Sequence, residues 1–397
     1  MAADGPLNRF TGTCSCQPRS HCVLLSRRLS LLIGEVPMER SERLPSAIRP
    51  TIQDVARLAG VSAGTVSHAL TKSRFVRPET VERVKTAIAK LGYRPNRVAQ
   101  SLIKRQTHTV GMVLPNLINP SHVDLLHAVE ETLSDEGYVV VFGNSQNDPV
   151  KEHCCIAAFR DRRVDGLITA IATDADVAEM RALAEEMPVV MVNRIVPGCD
   201  GDSVLCDTQI GMELAIDHLV GLGHRQIAFI NGDPRIQTAR MRRAGLDAAL
   251  RKHGLVAAAI SDGVFSVESG HAQVLDLIRS GIRASAICAG NDLMAFGVLE
   301  GIKEAGLRVP EDVSVVGFND ISYARFTSPS LTTVNVPYRL MGAEAARIIL
   351  DRLANRKAPP QQIIVKPRLV VRYSTAPVQS TSATADHEPT AHGGGNR

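Results

Sequence analysis

The sequence predicts a small all-α head followed by an α/β body with two lobes built on parallel sheets. Three amphipathic helical stripes occupy residues 51–92, whereas from residue 108 onward runs of valine and isoleucine alternate with helical patterns. Continuous apolar runs separated by helices are typical of parallel strands that are buried on both faces. The second region spans about 265 residues, which is more than one hydrophobic core usually organises, and therefore predicts two lobes.

The head begins with two short helices that are almost contiguous. The first has apolar side chains at helical spacing, at Ile52, Val55, Ala56 and Ala59. Thr51 stands at its N-cap position and Gly60 at its end, while Ser62 is placed to cap the second helix. A third stripe covers residues 81–91. Three helices with a tight first turn predict a helix-turn-helix, although an ordinary three-helix bundle shares the pattern.

The head and the segment after it are strongly basic. Residues 49–105 contain twelve lysines and arginines against three acidic residues, a net charge of +9, while the whole chain carries only +4. The remainder of the chain is therefore net acidic. A small basic module on an acidic body indicates binding to the phosphates of nucleic acid, and a solvated basic surface is the alternative.

A short amphipathic segment links the two regions. Pro95 ends the third helix, Asn96 is placed to cap another, and the next apolar residues, Val98, Ala99 and Leu102, share one face. A helix of about two turns is not stable alone in water, so this one needs DNA or a second subunit as a partner. The alternative is a linker without helical structure.

The ordered motifs of residues 50–374 resemble the LacI/GalR family of bacterial repressors. The head contains TVSHALTKSRFV, which is similar to purine-responsive members. The segment that links head and body contains NRVAQSL, which is similar to the hinge of lactose-responsive members. The body adds RVDGLI, LGHRQIAFI, RRAGL, GND, VSVVGFND and SPSLTTV. The resemblance implies a helix-turn-helix head, a hinge helix, and a two-lobed body like that of periplasmic sugar-binding proteins, with an effector between the lobes.

The resemblance also implies which residues contact operator DNA. Ala63, Gly64 and His68 occupy recognition-helix positions that reach base edges, where the His68 imidazole would donate to a guanine. Leu102 matches the hinge leucine that enters the minor groove and kinks the duplex. The implied DNA-binding residues are Thr51, Ser62, Ala63, Gly64, Thr65, His68, Arg74, Tyr93, Asn96, Arg97, Ala99 and Leu102.

Polar residues follow the predicted strands of the body, from Asn116 to Asn319. Ligands of parallel sheets bind beyond the carboxyl ends of the strands, so these residues predict a cleft for a small polar molecule. Taken singly, each one is a common turn former. The effector-binding residues implied by the resemblance are Ser121, His122, Asn193, Arg242, Phe265, Asn291 and Asn319.

Two departures from the family's pattern bear on the effector. Ser121 and His122 replace the aromatic pair of purine-binding members, which argues against a purine. Asn193 and Asn319 stand at strand ends where acids are common in the family. With fewer fixed negative charges beside Arg242, these changes favour a sugar acid or phosphate, and a neutral sugar is the alternative.

The sequence shows no catalytic or metal site that we can name. It has no Walker loop, no nucleophile with an acid or base partner, and no standard zinc-ligand spacing among its eight cysteines. The cysteine spacings indicate no disulfide framework, which fits a reducing cytosol. No segment is long and apolar enough to cross a bilayer. We therefore expect a cytoplasmic protein without cofactor, metal or membrane partner.

Both ends of the chain lie outside the predicted fold. Residues 1–37 match nothing in the family, and the Gly34-Glu35 pair is encodable by a sequence that resembles a ribosome-binding site. We expect translation to start at Met38, and a genuine disordered extension is the alternative. The predicted boundaries are an extension over 1–49, a DNA-binding domain over 50–95, a hinge over 96–107, the two-lobed domain over 108–374 and a disordered tail over 375–397.

These features predict a sequence-specific DNA-binding transcriptional regulator, most simply a repressor. It would act as a homodimer on a near-palindromic operator in double-stranded DNA, under the control of a small polar effector. An activator or dual regulator is the alternative within regulation, because the operator's position sets the sign of control. A solute-binding protein without DNA function fits the basic head and hinge poorly, and a sugar-processing enzyme lacks identifiable catalytic residues.

Overall fold

The computed structural model describes residues 50–71, 75–94, 106–170 and 177–378. Contacts divide the chain into two compact units, the head and the body, with the boundary between residues 95 and 96. No helix in these ranges is long and apolar enough to span a membrane. Among the predicted DNA-binding residues, five lie outside the described residues: Arg74, Asn96, Arg97, Ala99 and Leu102.

Three helices form the head: α1 (Ile52–Ala59), α2 (Ala63–Thr71) and α3 (Pro78–Leu91). Thr51 and Asp54 form a capping box, in which the Asp54 carboxylate accepts from the Thr51 amide at 2.9 Å. Gly60 has a left-handed φ of 64°, which ends α1 and permits the tight turn into α2. The core takes one valine from each helix, at Val55, Val66 and Val84. The predicted helix-turn-helix is confirmed.

The body contains two sheets, each with six strands in the described residues. The first comprises β1 (Thr109–Leu114), β2 (Val139–Asn144), β3 (Gly166–Thr169), β4 (Val189–Val192), β5 (Asp202–Cys206) and β11 (Gln362–Val365). Its spatial order is β11-β5-β4-β3-β1-β2, and all neighbouring strands are parallel. The central strands β1, β3 and β4 are buried almost throughout, as continuous apolar runs require.

The second sheet repeats this arrangement. It comprises β6 (Ile227–Asn231), β7 (Ala259–Asp262), β8 (Ala286–Ala289), β9 (Ser314–Asn319), β10 (Thr332–Asn335) and β12 (Arg368–Val370). The spatial order is β12-β10-β9-β8-β6-β7, in which β12 alone runs antiparallel to its neighbour. The predicted two-lobed α/β body with parallel sheets is therefore confirmed.

Helices cover both sheets and define the two lobes. The first lobe holds the first sheet with α4 (Pro120–Asp135), α5 (Pro149–Asp161), α6 (Val177–Glu186) and α11 (Tyr338–Ala354). The second lobe holds the second sheet with α7 (Thr208–Gly221), α8 (Gln237–Lys252), α9 (Val267–Arg279) and α10 (Asp292–Glu304). The chain passes between the lobes three times, before α7, before α11 and before β12.

Helices α9 and α10 pack closely through glycines. A Cβ atom added at Gly297 would lie 1.9 Å from the Val267 carbonyl oxygen, and one added at Gly270 would lie 2.1 Å from that of Met294. Both distances are far shorter than any real contact, and the atoms approached belong to backbone that cannot rotate away. The two helices are therefore in direct backbone contact at these glycines.

Replacement of Gly297 by alanine should lower the free energy of unfolding by about 1–3 kcal/mol, because the added methyl group forces the two helices apart. Urea unfolding followed by circular dichroism measures this change. Gly221→Ala is the matched control: its added Cβ meets no atom within 4 Å at the end of α7, so stability should stay constant or rise slightly. Equal losses in the two variants would contradict the steric explanation.

Candidate functional site

Helix α2 presents small residues on the surface of the head. Ser62 caps the helix, since its Oγ accepts a hydrogen bond from the Thr65 amide at 3.1 Å. Gly64 is exposed, while Ala63 and His68 are half-buried. His68 lies one turn after Gly64, so both share a face of the helix. A duplex lying along this face would meet little side-chain bulk before it met the His68 imidazole.

The other described DNA-binding candidates flank α2. Thr51 is exposed at the start of α1, whereas Tyr93 packs against the head core and is half-buried. Tyr93 therefore has a structural role in addition to any contact with DNA. The exposed basic side chains in the described head are Arg57, Arg77, Arg83, Lys85, Lys90 and Arg94.

One motif of catalytic type occurs in the head. Residues 60–64 have the GxSxG spacing of a hydrolase nucleophile, but that motif requires a turn between a strand and a helix. Here the pentapeptide joins two helices, and the Ser62 hydroxyl is committed to the cap of α2. The spacing therefore indicates a helix-turn-helix turn and carries no catalytic meaning.

In the body, Arg242 is the centre of the polar group between the lobes. It comes from α8 and is only 5% exposed. Its Nη1 donates to the Gly290 carbonyl at 2.6 Å and its Nη2 to Asn319 Oδ1 at 3.0 Å. The guanidinium carbon also lies 4.4 Å from the centre of the Phe318 ring and 5.4 Å from that of Phe265. Two aromatic faces and two neutral acceptors thus fix its position.

Asn319 joins the second lobe to the first through the hydrogen bonds of its side chain. Its Oδ1 also accepts from the Tyr338 hydroxyl at 3.2 Å, and its Nδ2 donates to Ser121 Oγ at 3.3 Å. Ser121 in turn donates to Asn119 Oδ1 at 2.6 Å. Because Ser121 starts α4 and Asn319 ends β9, this chain of hydrogen bonds joins the two lobes.

A second junction joins the lobes through one side-chain amide. Gln237, the first residue of α8, accepts from the Ile195 amide at 2.9 Å and donates to the Ile195 carbonyl at 3.0 Å. Ile195 follows β4 in the first lobe. Sequence reasoning missed this pair, because nothing in either residue type marks a contact between segments so far apart in the chain.

His122 is buried beside this group and is neutral at physiological pH. Its Nδ1 lies 2.7 Å from the Asn116 carbonyl oxygen, which can only accept, so Nδ1 carries the proton. Burial lowers the pKa of His122 to about 4; the hydrogen bond to Asn116 opposes this shift, and the nearby Arg194 and Arg242 charges add to it. The remaining ring nitrogen, Nε2, is therefore an acceptor.

Two further buried charges lie close by and were not among the predicted effector-binding residues. Arg194 donates to Asn147 Oδ1 at 3.1 Å, and burial lowers its pKa to about 10. Asp292 accepts from the Ile321 amide at 2.7 Å and from the Thr333 hydroxyl, while burial raises its pKa to about 6. The sequence signal that could have identified both as site residues is their position directly after Asn193 and Asn291.

A cavity of about 940 Å³ opens between the lobes. Its wall takes residues from both lobes: Asn116, Gln146, Asn147, Pro149, Asp233, Pro234, Arg235, Ile236, Arg240, Val264, Phe265 and Ser266. Of the predicted effector-binding residues, Phe265 lines this space. Its ring packs closely against Gly232, where an added Cβ would be 2.3 Å from the ring. Phe265 therefore connects the open cavity to the buried Arg242.

The remaining predicted effector-binding residues are near strand ends, with different local roles. Asn291 is buried and caps α10, because its Oδ1 accepts from the Met294 amide at 2.9 Å. Asn193 is half-buried and has a left-handed φ of 64° directly after β4. Asn291 thus has a fold-level role in addition to any ligand contact. Within the described residues, no group of acidic, histidine or cysteine side chains is placed to hold a metal.

Family models match both parts of the chain. The model for bacterial regulatory proteins of the lacI family matches residues 51–96, and that for a periplasmic binding protein-like domain matches residues 216–375. The chain is 33% identical over 327 residues to the transcriptional repressor PurR of Photobacterium profundum, covering 82% of this chain and 98% of the relative. It is 34% identical over 330 residues to the ribose operon repressor of Escherichia coli K12, covering 82% and 99%.

Solved structures agree in fold. A lac repressor dimer bound to operator and the anti-inducer ONPF superimposes with a TM-score of 0.76 at 30% identity, covering 82% of this chain and 99% of that one. A complex of the regulator CelR with cellobiose gives a TM-score of 0.62 at 32% identity, covering 82% and 100%.

Replacement of His122 by glutamine should flatten the pH dependence of stability in mild acid. The pKa of His122 in the folded protein, about 4, lies below that of an unfolded histidine, near 6.5, so the unfolded state binds the proton more readily. The stabilisation is complete above about pH 6.5 and is lost at up to about 1.4 kcal/mol per pH unit as the pH falls towards 4.

Urea unfolding at several pH values, with the variant compared to the wild type, measures this difference. Both proteins contain Asp292, so the comparison removes its contribution to the pH dependence of stability. Because the pKa of Asp292 is raised, that contribution increases stability as the pH falls over the same range. His127→Gln, on the exposed side of the same helix, is the control and should keep the wild-type slope. Parallel slopes for His122→Gln and wild type would show that His122 does not supply the pH dependence.

Proposed function

We propose that this chain, which belongs to the LacI family of bacterial regulatory proteins, represses transcription from an operator whose affinity depends on a small polar effector. The observation that carries the proposal is the junction of Arg242, Asn319 and Ser121 in a chain that also has a helix-turn-helix head. A ligand entering between the lobes must rearrange this junction. The proposal therefore couples an effector cleft to a DNA-binding head.

The DNA contact is assigned to the exposed face of α2. Ala63 and Gly64 have almost no side chain, so they allow the helix to approach the bases closely, and Thr65 and His68 supply the hydrogen-bonding groups. The exposed lysines and arginines of the head supply the sequence-independent attraction to phosphates. A DNA-binding role places the protein in the cytoplasm, and we assign it no catalytic activity, in line with relatives that are repressors.

The working unit is proposed to be a homodimer joined through the body. A two-fold protein reads a near-palindromic operator, with one head on each half-site. Both lobes have exposed apolar side chains that a partner subunit would cover: Tyr323 and Phe326 on the second lobe, and Val139 and Phe142 on the edge strand of the first. Burial of such side chains is the main driving force of subunit association.

Replacement of His68 by alanine should weaken operator binding by about 1–3 kcal/mol and relax the preference at one base pair of each half-site. Selection from randomised duplexes, followed by binding to single-base variants, measures the preference. The comparison variant is Arg97→Ala, outside the described residues, which should weaken binding to all duplexes evenly and reduce its salt dependence. Unchanged relative affinities in His68→Ala would remove His68 from base readout.

Effector and operator should alter each other's affinity by the same factor, corresponding to about 1–3 kcal/mol. A compound that raises the Tm of the protein is titrated with and without operator DNA, and operator binding is measured with and without the compound. Arg242→Ala should abolish the mutual effect while operator binding without effector is retained. Arg279→Ala, an exposed arginine of the second lobe, should behave as wild type. Equal loss of both properties in Arg242→Ala would assign Arg242 to the fold alone.

A further inference from the structure

Arg242 is a buried cation whose hydrogen-bond partners among the described residues are all neutral. Its two terminal nitrogens donate to the Gly290 carbonyl and to the Asn319 amide oxygen. Its Nε is buried and makes no hydrogen bond to any residue in the described part of the chain. An uncompensated buried charge costs several kcal/mol, and an unsatisfied buried donor costs about 1–3 kcal/mol. The fold therefore keeps an unfavourable group directly beside Phe265, a residue that lines the cavity between the lobes.

A second buried arginine, Arg194, adds to the positive electrostatic potential around Arg242. Burial lowers the pKa of Arg194, and Arg242 lowers it further, whereas Tyr338 and Glu152 raise it. The two arginines thus lie close enough to repel each other. His122 stays neutral, because burial disfavours its protonation and the charges of both arginines add to this effect. A histidine in this state accepts a hydrogen bond at Nε2, which suits a hydroxyl group.

Among the described residues, the carboxylate whose charge acts on Arg242 is that of Asp292, and it makes no hydrogen bond to the guanidinium. Both Asp292 oxygens are engaged elsewhere, one by the Ile321 amide and the other by the Thr333 hydroxyl. Burial also raises the pKa of Asp292 to about 6, which reduces its negative charge in mild acid. Among the described residues that line the open cavity, the charged ones are Arg235, Arg240 and Asp233, and Arg235 forms an ion pair with Asp233 at 2.6 Å.

We propose that the effector is an anionic polyhydroxylated molecule, whose carboxylate or phosphate binds the Arg242 guanidinium while its hydroxyl groups meet the asparagines and His122. This inference rests on the proposed function and names the chemical class of its ligand. A charge-assisted hydrogen bond from Nε to an anionic oxygen satisfies the donor and compensates the charge together. The Phe265 ring, which packs against Gly232 and lines the cavity, provides an apolar face for the carbon skeleton.

The first test compares each neutral sugar with its own acid and its own phosphate ester. A panel of common hexoses and pentoses, with their aldonates, uronates and phosphate monoesters, is screened for a rise in Tm, and affinities are then measured by calorimetry. For the skeleton that fits, we expect the anion to bind at least tenfold tighter than its neutral parent. The set of compounds that raises the Tm, either the carboxylates or the phosphate esters, identifies the anionic group of the effector.

A charge variant tests the assigned contact. Asn319→Asp places a carboxylate about 3 Å from the Arg242 guanidinium. The protein itself then supplies the negative charge that we assign to the ligand. Anion affinity should fall at least tenfold and by a larger factor than affinity for a neutral sugar, whose change reports the loss of the hydrogen bond to Ser121. Asn355→Asp, the same change at an exposed position after α11, is the control and should leave both affinities unchanged.

The outcomes separate this inference from the proposed function. A neutral sugar that binds tighter than its anions and alters operator affinity overturns the inference and supports the regulator. Anions that raise the Tm of wild type but not of Asn319→Asp support the inference, even if operator binding does not respond, in which case the proposed effector control is wrong. Failure of every anion in the panel to bind, or equal anion binding to wild type and Asn319→Asp, overturns the inference.

Discussion

The side chain of Asn319 is the interaction on which the arrangement of the two lobes depends. Its oxygen receives hydrogen bonds from Arg242 and Tyr338, and its nitrogen donates across to Ser121. An ionised aspartate has the same shape but cannot donate, so it would force Ser121 to reverse its own hydrogen bond to Asn119. The choice of an amide at this position therefore sets both the direction of the cross-lobe hydrogen bonds and the neutral environment of Arg242.

The backbone at this junction is held in an uncommon conformation. Asn319 has a φ of 124° and Asp320 a φ of 57°, both in the region that side chains normally avoid. Neighbouring contacts fix the turn: Asp320 forms an ion pair with Arg372 at 2.7 Å, and the Ile321 amide donates to Asp292. Strain maintained by surrounding contacts is typical of functional sites.

Local features of the fold were predictable from sequence, because each depends on residues close together in the chain. Thr51, Gly60 and Ser62 mark the helix ends of the head, and polar residues after apolar runs mark the carboxyl ends of the strands. The grouping of Arg242 with Asn319 followed from the family resemblance and the strand-end rule. The assignment of specific roles to the effector and DNA residues remains a prediction.

The remaining features depend on how distant segments meet. Gln237 and Ile195 carry no sequence signal for their pairing, which exists only because α8 and the end of β4 face each other across the cleft. The neutral state of His122 likewise depends on tertiary structure, because burial lowers its pKa and the charges of two arginines from different lobes lower it further. Asn291 shows the opposite case, since a residue predicted to contact the ligand also caps a helix. Residue type alone does not separate these roles.

The strength of the cross-lobe contacts suits a switch. The hydrogen bonds described above between the lobes are those of Asn319 with Ser121 and Tyr338 and of Gln237 with Ile195. A hydrogen bond contributes about 0.5–1.5 kcal/mol net, so four of them together amount to a few kcal/mol. Allosteric coupling between two sites is of the same size, about 1–3 kcal/mol. A ligand needs only a comparable difference in affinity for the two lobe arrangements to shift their populations.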